Sequence, residues 1–217
     1  MKAETATNYE IGYKAEMFAR TLRLNAATFD TEYKDLQFQS FGPRPGIVEF
    51  GIFRTVNLQS ARARGAELEA DWKPIHGLTL SGSYGYLDAK YIKAIVLNSA
   101  YPIQSGQEMA RAPRNKYTES AQYEFSLGNI GSLTSSIDYE YTGQQRGAIE
   151  PYANQPAYGV ANARIAWDSP DRRAEVAIWS RNLANTQYVS HLYTIGGEAI
   201  GAFGDPMTFG ATLSLKN

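Results

Sequence analysis

Period-two alternation of apolar and polar residues, sustained over stretches of about ten or more, constrains this chain more than any other feature, because only an extended strand places alternate residues on opposite faces. From Leu78 the positions Leu78, Leu80, Gly82, Tyr84 and Tyr86 alternate with Thr79, Ser81, Ser83 and Gly85. Leu133, Ser135, Ile137, Tyr139 and Tyr141 alternate with Thr134, Ser136, Asp138, Glu140 and Thr142. Ala66, Leu68, Ala70 and Trp72 are set against Glu67, Glu69 and Asp71, and Phe209, Ala211, Leu213 and Leu215 against Thr208, Gly210, Thr212, Ser214 and Lys216. The pattern predicts an all-β chain of nine long strands, at 9–18, 21–36, 58–72, 78–89, 112–127, 132–142, 158–168, 174–188 and 206–217. A further strand is expected within the loop from Ile47 to Val56, prolonging its neighbour or adding a tenth member.

The connections sort by length. Short turns fall at Ala19 and Arg20 and at 73–77, 128–131 and 169–173, whereas long loops run over 37–57, 90–111, 143–157 and 189–205. Short turns at one end and long loops at the other are the arrangement of a transmembrane β-barrel. The 15 Tyr, 9 Phe and 3 Trp follow the same division. Trp72, Phe125 and Trp167 stand beside short turns, and Tyr84, Tyr86, Tyr139 and Tyr141 beside long loops, as interfacial girdles require. Glu119 is the exception, since it shares its register with Tyr117, Ala121, Tyr123 and Phe125; a bulge or an interfacial position is expected there. The polar faces carry Arg23, Asn25, Glu67, Glu69, Asp71, Asp138, Glu140 and Arg164, too many charges for a dry core, and are expected to line a wet or plugged lumen.

Other classes find little support. With 21 Lys and Arg against 22 Asp and Glu the net charge is −1, which gives no basic footprint for nucleic acid. No 18-residue apolar run exists for a membrane-spanning helix, and the first eight residues hold no apolar signal core. The absence of cysteine excludes disulfides and thiol chemistry. His76 and His191, the two histidines, have no sequence-near ligand at metal spacing. Glu67, Glu69 and Asp71 could hold a cation or act as acid and base, but a solvated strand face accounts for them. The glycines at 196, 197, 201 and 204 lack the strand-to-helix setting of a phosphate cradle. No catalytic residue, cofactor or metal site is therefore expected.

Several segments resemble landmarks of the TonB-dependent outer-membrane receptors, in that family's order and over nearly the whole chain. Asn182, Leu183, Ala184, Asn185, Thr186, Gln187 and Tyr188 are similar to the family's Asn-Leu-x-Asp/Asn-x-x-Tyr signature, and 204–210 to its Gly-x-Pro-Arg-Thr-aromatic-Gly last strand. The opening 4–12 resembles its Pro-Glu-Thr-x-x-x-Tyr-Glu-x-Gly element. Arg64, Gly65, Ala66, Glu67, Leu68 and Glu69, and Ala112, Pro113 and Arg114, resemble two further strand elements. Met207 stands where the family usually has Arg, and Asn217 where it usually ends in an aromatic. The resemblance implies a plugged, 22-stranded barrel, of which residues 1–217 would be the C-terminal portion without the plug. Nine strands match the last nine, and an odd number cannot close antiparallel by themselves.

The function implied is import of a scarce solute, most commonly a ferric siderophore, across the outer membrane of a Gram-negative bacterium. The implied partners are the lipid bilayer, the N-terminal plug and barrel half of the same receptor, TonB through that missing part, and a small-molecule ligand. Tyr91, Tyr101, Tyr152, Tyr193 and Phe203, in or beside the long loops, are the candidate ligand-stacking residues. Two alternatives stand beside this reading: a self-contained small barrel or adhesin closed by the strand from Ile47 to Val56, and a soluble carbohydrate-binding sandwich.

Overall fold

The computed structural model describes residues 2–44, 47–58, 60–93, 103–148, 150, 152–195 and 198–216. Its strands are β1 (Thr5–Met17), β2 (Leu22–Lys34), β3 (Gln37–Arg44), β4 (Ile47–Asn57), β5 (Ser60–Trp72), β6 (Leu78–Tyr91), β7 (Asn115–Ser126), β8 (Ser132–Thr142), β9 (Gln145–Arg146), β10 (Asn154–Gln155), β11 (Tyr158–Asp168), β12 (Ala174–Arg181), β13 (Val189–Ile195), β14 (Glu198–Phe203) and β15 (Thr208–Leu215). One antiparallel sheet of nine strands runs β1-β2-β5-β6-β7-β8-β11-β12-β15, each joined to the next in sequence among those nine. This is the nine-strand meander that the alternation predicts.

Two expectations are corrected. The segment from Ile47 is a strand and prolongs its neighbour as expected, since the β3–β4 pairing continues that of β2 and β5 in one register, Lys34 opposite Ser60 and then Gln37 opposite Asn57; it joins neither edge of the large sheet, so it is no tenth member and closes no barrel. The strand expected over 174–188 stops at Arg181, because Asn182 adopts φ +48 and its side chain turns back on the chain that follows. Strand β9 pairs with β10, and β13 with β14, as small hairpins within the third and fourth long loops.

Cross-strand partners share a face, so the register sorts the residues. One face carries Leu22, Trp72, Leu80, Ala121, Ile137, Ala163, Ile178 and Ala211, and many of its large residues are exposed, among them Leu68, Trp72, Tyr84, Phe125, Ile137, Ile165, Val176 and Leu213. An exposed apolar surface of that extent requires a covering, and a bilayer supplies one. Aromatic rows bound it at both ends. Tyr117 stacks on Tyr141 with ring centroids 4.8 Å apart, and Tyr84 donates to Asn115 Oδ1 at 2.7 Å, beside the long loops. Tyr123 meets Phe125 edge-on at 4.2 Å, and Trp167 Nε1 donates to the Ile130 carbonyl at 2.8 Å, beside the short turns. Glu119 lies opposite Gly82 and Tyr139 in unbroken register on both sides. There is no bulge, and the carboxylate is at the edge of the tyrosine row.

The sheet has no dry interior of its own. Its one cluster of buried apolar residues, among those described, lies at the long-loop end, where Leu58, Ala61, Tyr91 and Ile103 pack with Tyr33, Leu36, Phe38 and Met109. The short turns are shaped by backbone geometry. Gly131 has φ +106, and a Cβ there would fall 1.9 Å from the Asp168 carbonyl oxygen. Phe18, Ala19 and Arg20 all have positive φ between strands β1 and β2.

Candidate ligand mouth and polar face

The long-loop end is built from pieces that touch one another. Arg111 donates its backbone N–H to the Arg146 carbonyl at 2.7 Å and its guanidinium to the Leu192 carbonyl at 3.2 Å, which joins the second loop to the third and to the β13–β14 hairpin. Thr194 donates to Glu150 Oε2 at 2.8 Å, and the Val189 N–H to Gln155 Oε1 at 3.2 Å. Gly147 sits so close beneath Leu192 that a Cβ would lie 2.3 Å from its Cδ2. At the base of the hairpin Tyr158 and Tyr188 stack at 4.5 Å, 11° from parallel.

Against this frame the five candidate aromatics separate. Tyr152, 40% exposed, and Tyr193, 45% exposed, lie on the third loop and on β13, the two pieces that Thr194 and Glu150 join. Phe203 is 76% exposed at the end of β14, on the hairpin face opposite the one shared by Tyr193 and Ile200. Tyr91 is 4% exposed inside the loop-base core, where burial pushes its phenol pKa up, so its ring is committed to packing. Tyr101 lies outside the described residues.

Sequence reasoning missed Arg111, Glu150 and Thr194, since contacts between loops leave no periodic signal. A positive φ at Arg111, +57, marks it in the structure alone.

The polar face holds an open groove of about 410 Å³ lined by Glu69, Asp71, Ser81, Ser83, Asp138 and Glu140, with Asn162 at its far side. Lys116 pairs with Glu140 at 2.8 Å, and Asn25 donates to Glu69 at 3.3 Å. Farther along, Arg164 pairs with Glu175 at 2.7 Å, and Arg181 lies 5.4 Å over the Trp179 ring. The groove is thus a polar wall with an excess of carboxylates. No group of His, Asp and Glu among the described residues could hold a metal ion, and exposed His76 and His191 lie at opposite ends of the sheet.

The Asn182 motif is a corner of the fold. Its Nδ2 donates to the carbonyls of Thr186 and Asp205 at 2.9 and 3.0 Å, its Oδ1 accepts from the Thr186 N–H at 2.8 Å, and the residue is 3% exposed. Asn185 Oδ1 accepts from the Met207 N–H at 3.0 Å. Together they fasten the end of β12 to the start of β15.

Comparison with known proteins agrees with this architecture. The family model of the TonB dependent receptor-like β-barrel matches residues 1–183. The chain is 28% identical over 155 residues to the ferrichrome outer membrane transporter/phage receptor of Escherichia coli K12, covering 70% of this chain and 20% of that protein. In fold it is similar to the ferric yersiniabactin uptake receptor FyuA from Yersinia pestis, with a TM-score of 0.78 at 21% identity, over 98% of this chain and 30% of the other. The ferric-catecholate import receptor Fiu from E. coli K12 gives a TM-score of 0.72 at 20% identity, over 99% of this chain and 28% of the other. The chain therefore spans between a fifth and a third of the length of these relatives. By the match over residues 1–183, together with a strand order that agrees with it, the chain belongs to the TonB-dependent receptor β-barrel family.

Proposed function

We propose that residues 1–217 are the C-terminal barrel portion of an outer-membrane receptor that imports a scarce iron-bearing solute, a ferric siderophore. The observation that carries this reading is the sheet itself: an apolar face bounded by aromatic rows, long interlocked loops at one end, and two open edges, β1 and β15. Counted through the antiparallel meander, β1 and β15 run in the same direction, so they cannot pair antiparallel with each other. That favours completion by further strands over a small self-contained barrel. The strand from Ile47 gives such a barrel no tenth member.

In this reading the loops carrying Tyr152, Tyr193 and Phe203 form part of the ligand mouth. Their rings are exposed and supply the apolar, stackable surface that a planar chelate group would meet. The carboxylate-rich groove faces the lumen, where cationic side chains of the plug would offset its charge. TonB would act through the plug-bearing portion. The relatives are receptors or transporters for ferrichrome, ferric yersiniabactin and ferric catecholate, which supports the solute class.

The test is expression of this chain behind an export signal, with and without the plug-bearing portion of a receptor, in a strain lacking its own siderophore receptors. Radio-iron uptake from a panel of ferric siderophores is expected only when both portions are present. A folded, heat-modifiable band from the chain alone would overturn the partial-barrel reading.

A further inference from the structure

The polar face carries one guanidinium that no carboxylate engages. Strand β12 places Glu175, Ala177, Trp179 and Arg181 on that face, since Trp179 lies opposite Arg164 on one side and Gly210 on the other. Arg23 and Arg164, on the same face, pair with Glu16 and Glu175, and Lys116 pairs with Glu140. Arg181 is exposed and makes no ion pair among the described residues. Lys14 on β1 and Lys216 beyond β15 also lack one, but they lie toward the short-turn end. Arg181 closes β12 at the long-loop end, at the foot of the segment that leads into the β13–β14 hairpin.

Its setting is held from two sides. The Trp179 indole lies against bare backbone, where a Cβ on Gly210 would fall 2.6 Å from Cζ2, and its Nε1 donates to Thr212 Oγ1 at 3.2 Å. The Arg181 guanidinium is 5.4 Å from the centroid of that ring, within the range of a cation–π contact. Just after Arg181 the backbone is fixed as well: the Asn182 N–H donates to Asn162 Oδ1 at 3.1 Å, and the Leu183 N–H to the Ala161 carbonyl at 2.7 Å. A stacked guanidinium keeps its N–H donors free in its own plane. A forked acceptor can therefore meet them with little further ordering, and a carboxylate is that acceptor.

The rest of the wall supplies the contrast. The groove lined by Glu69, Asp71, Asp138 and Glu140 disfavours an anion, and Asn162, at its far side, separates Asp138 from the end of β12. An acidic solute entering through the long loops turns its charge away from β5–β8 and toward Arg181.

We infer that Arg181, braced by Trp179, selects for a ferric chelate that carries a free carboxylate. The inference rests on the reading of this chain as part of an iron importer. A carboxylate of the plug could also meet Arg181. The place of the guanidinium at the long-loop end, below the hairpin that bears Tyr193, favours the solute.

The assembled receptor, this chain with its plug-bearing portion, is given two radio-iron tris-hydroxamate chelates that differ in one pendant arm, a carboxylate in one and its primary amide in the other. Uptake of the acidic chelate should half-saturate at about tenfold lower concentration, the effect of hydrogen bonds to a charged group. Arg181→Gln should remove that difference by weakening the acidic chelate alone, with maximal uptake unchanged. Arg181→Lys keeps the charge without the fork and should retain part of the preference; it carries the test should Arg181→Gln fail to reach the folded gel mobility. Trp179→Leu should reduce the preference about threefold, and Trp179→Phe should restore it. Equal half-saturation for the two chelates, a preference that survives Arg181→Gln, or a loss shared equally by both chelates, as a plug contact would give, would overturn the inference and leave the import reading standing. If the assembled receptor imported neither chelate, the import reading would fall and this inference with it.

Discussion

Two side chains at the long-loop end show what single residues contribute. Removing Asn182 by Asn182→Ala would strip partners from two carbonyls and one N–H in a buried corner. Leaving such groups unpaired costs about 1–3 kcal/mol each before relaxation, and a net loss of about 3 kcal/mol is expected. The check is the temperature at which the assembled receptor loses its folded gel mobility, which should fall clearly below wild type. Asp88 gives the pH-dependent case. Its ion pair with Lys90 at 2.7 Å, then the nearby Arg64, holds its carboxyl below the usual value of 3.8. A carboxyl lowered in the folded state contributes stability that is complete above the unfolded value and lost as pH falls through the lower folded one. Hydrogen exchange around β5 and β6 at the long-loop end should therefore rise below about pH 4, and in Asp88→Asn it should already be raised at neutral pH. At this scale the sequence was only partly legible. The motif from Asn182 to Tyr188 is recognisable as a landmark, but nothing periodic in the sequence marks the point at Asn182 where a buried amide turns the backbone out of the strand. The burial of Tyr91 depends on Leu58 and Ile103, which approach only once the loops fold.

Among the elements, the nine long strands were legible because each must present one face to an apolar medium and the other to a polar one. That requirement writes a period of two into the sequence. Strand β4 was legible too, from Ile47 to Val56, but its partner β3 and the β13–β14 hairpin were not, since they stand on the loops and neither face meets a continuous medium. The interlocking of the loops was equally hidden, and Arg111 carries much of it. Arg111→Ala should release its guanidinium bond to the Leu192 carbonyl and raise hydrogen exchange in β13 by about tenfold, roughly 1.4 kcal/mol of local opening. An unchanged exchange rate would show that Gly147, Glu150 and Thr194 suffice to hold the hairpin. The first short turn offers the opposite effect. Left-handed backbone costs a non-glycine residue about 1–2 kcal/mol, and Phe18, Ala19 and Arg20 all adopt it. Ala19→Gly should stabilise the β1–β2 hairpin by up to about 1 kcal/mol, read as a higher unfolding temperature. Gly131→Ala should do the reverse, since its Cβ would strike the Asp168 carbonyl.

For the whole molecule, the direction of the two edge strands decides what can complete the sheet. Both β1 and β15 run from the long-loop end to the short-turn end or both run back, since an even number of reversals separates them. Two copies related by rotation about a common barrel axis would bring β1 of one beside β15 of the other in parallel, at both seams. An antiparallel seam at each edge instead requires a partner sheet with an odd number of strands whose first and last run opposite to β1. Self-assembly of this chain into a closed barrel is therefore expected to fail, and edges bearing Tyr9, Ile11, Tyr13, Phe209, Leu213 and Leu215 would be left exposed. Expressed alone behind an export signal, the chain should yield aggregate or degradation products, with no heat-modifiable species at twice its mass. With an odd-stranded, plug-bearing portion present it should enter a heat-modifiable complex containing both. Because the chain has no cysteine, the seam can be mapped by single substitutions such as Tyr13→Cys on one edge and Ala211→Cys on the other. Each should form a disulfide only with a cysteine placed in the adjoining strand of the partner portion. A disulfide between Tyr13→Cys and Ala211→Cys chains in a folded homodimer would instead show that a parallel seam is tolerated and that the direction of the edges does not select the partner.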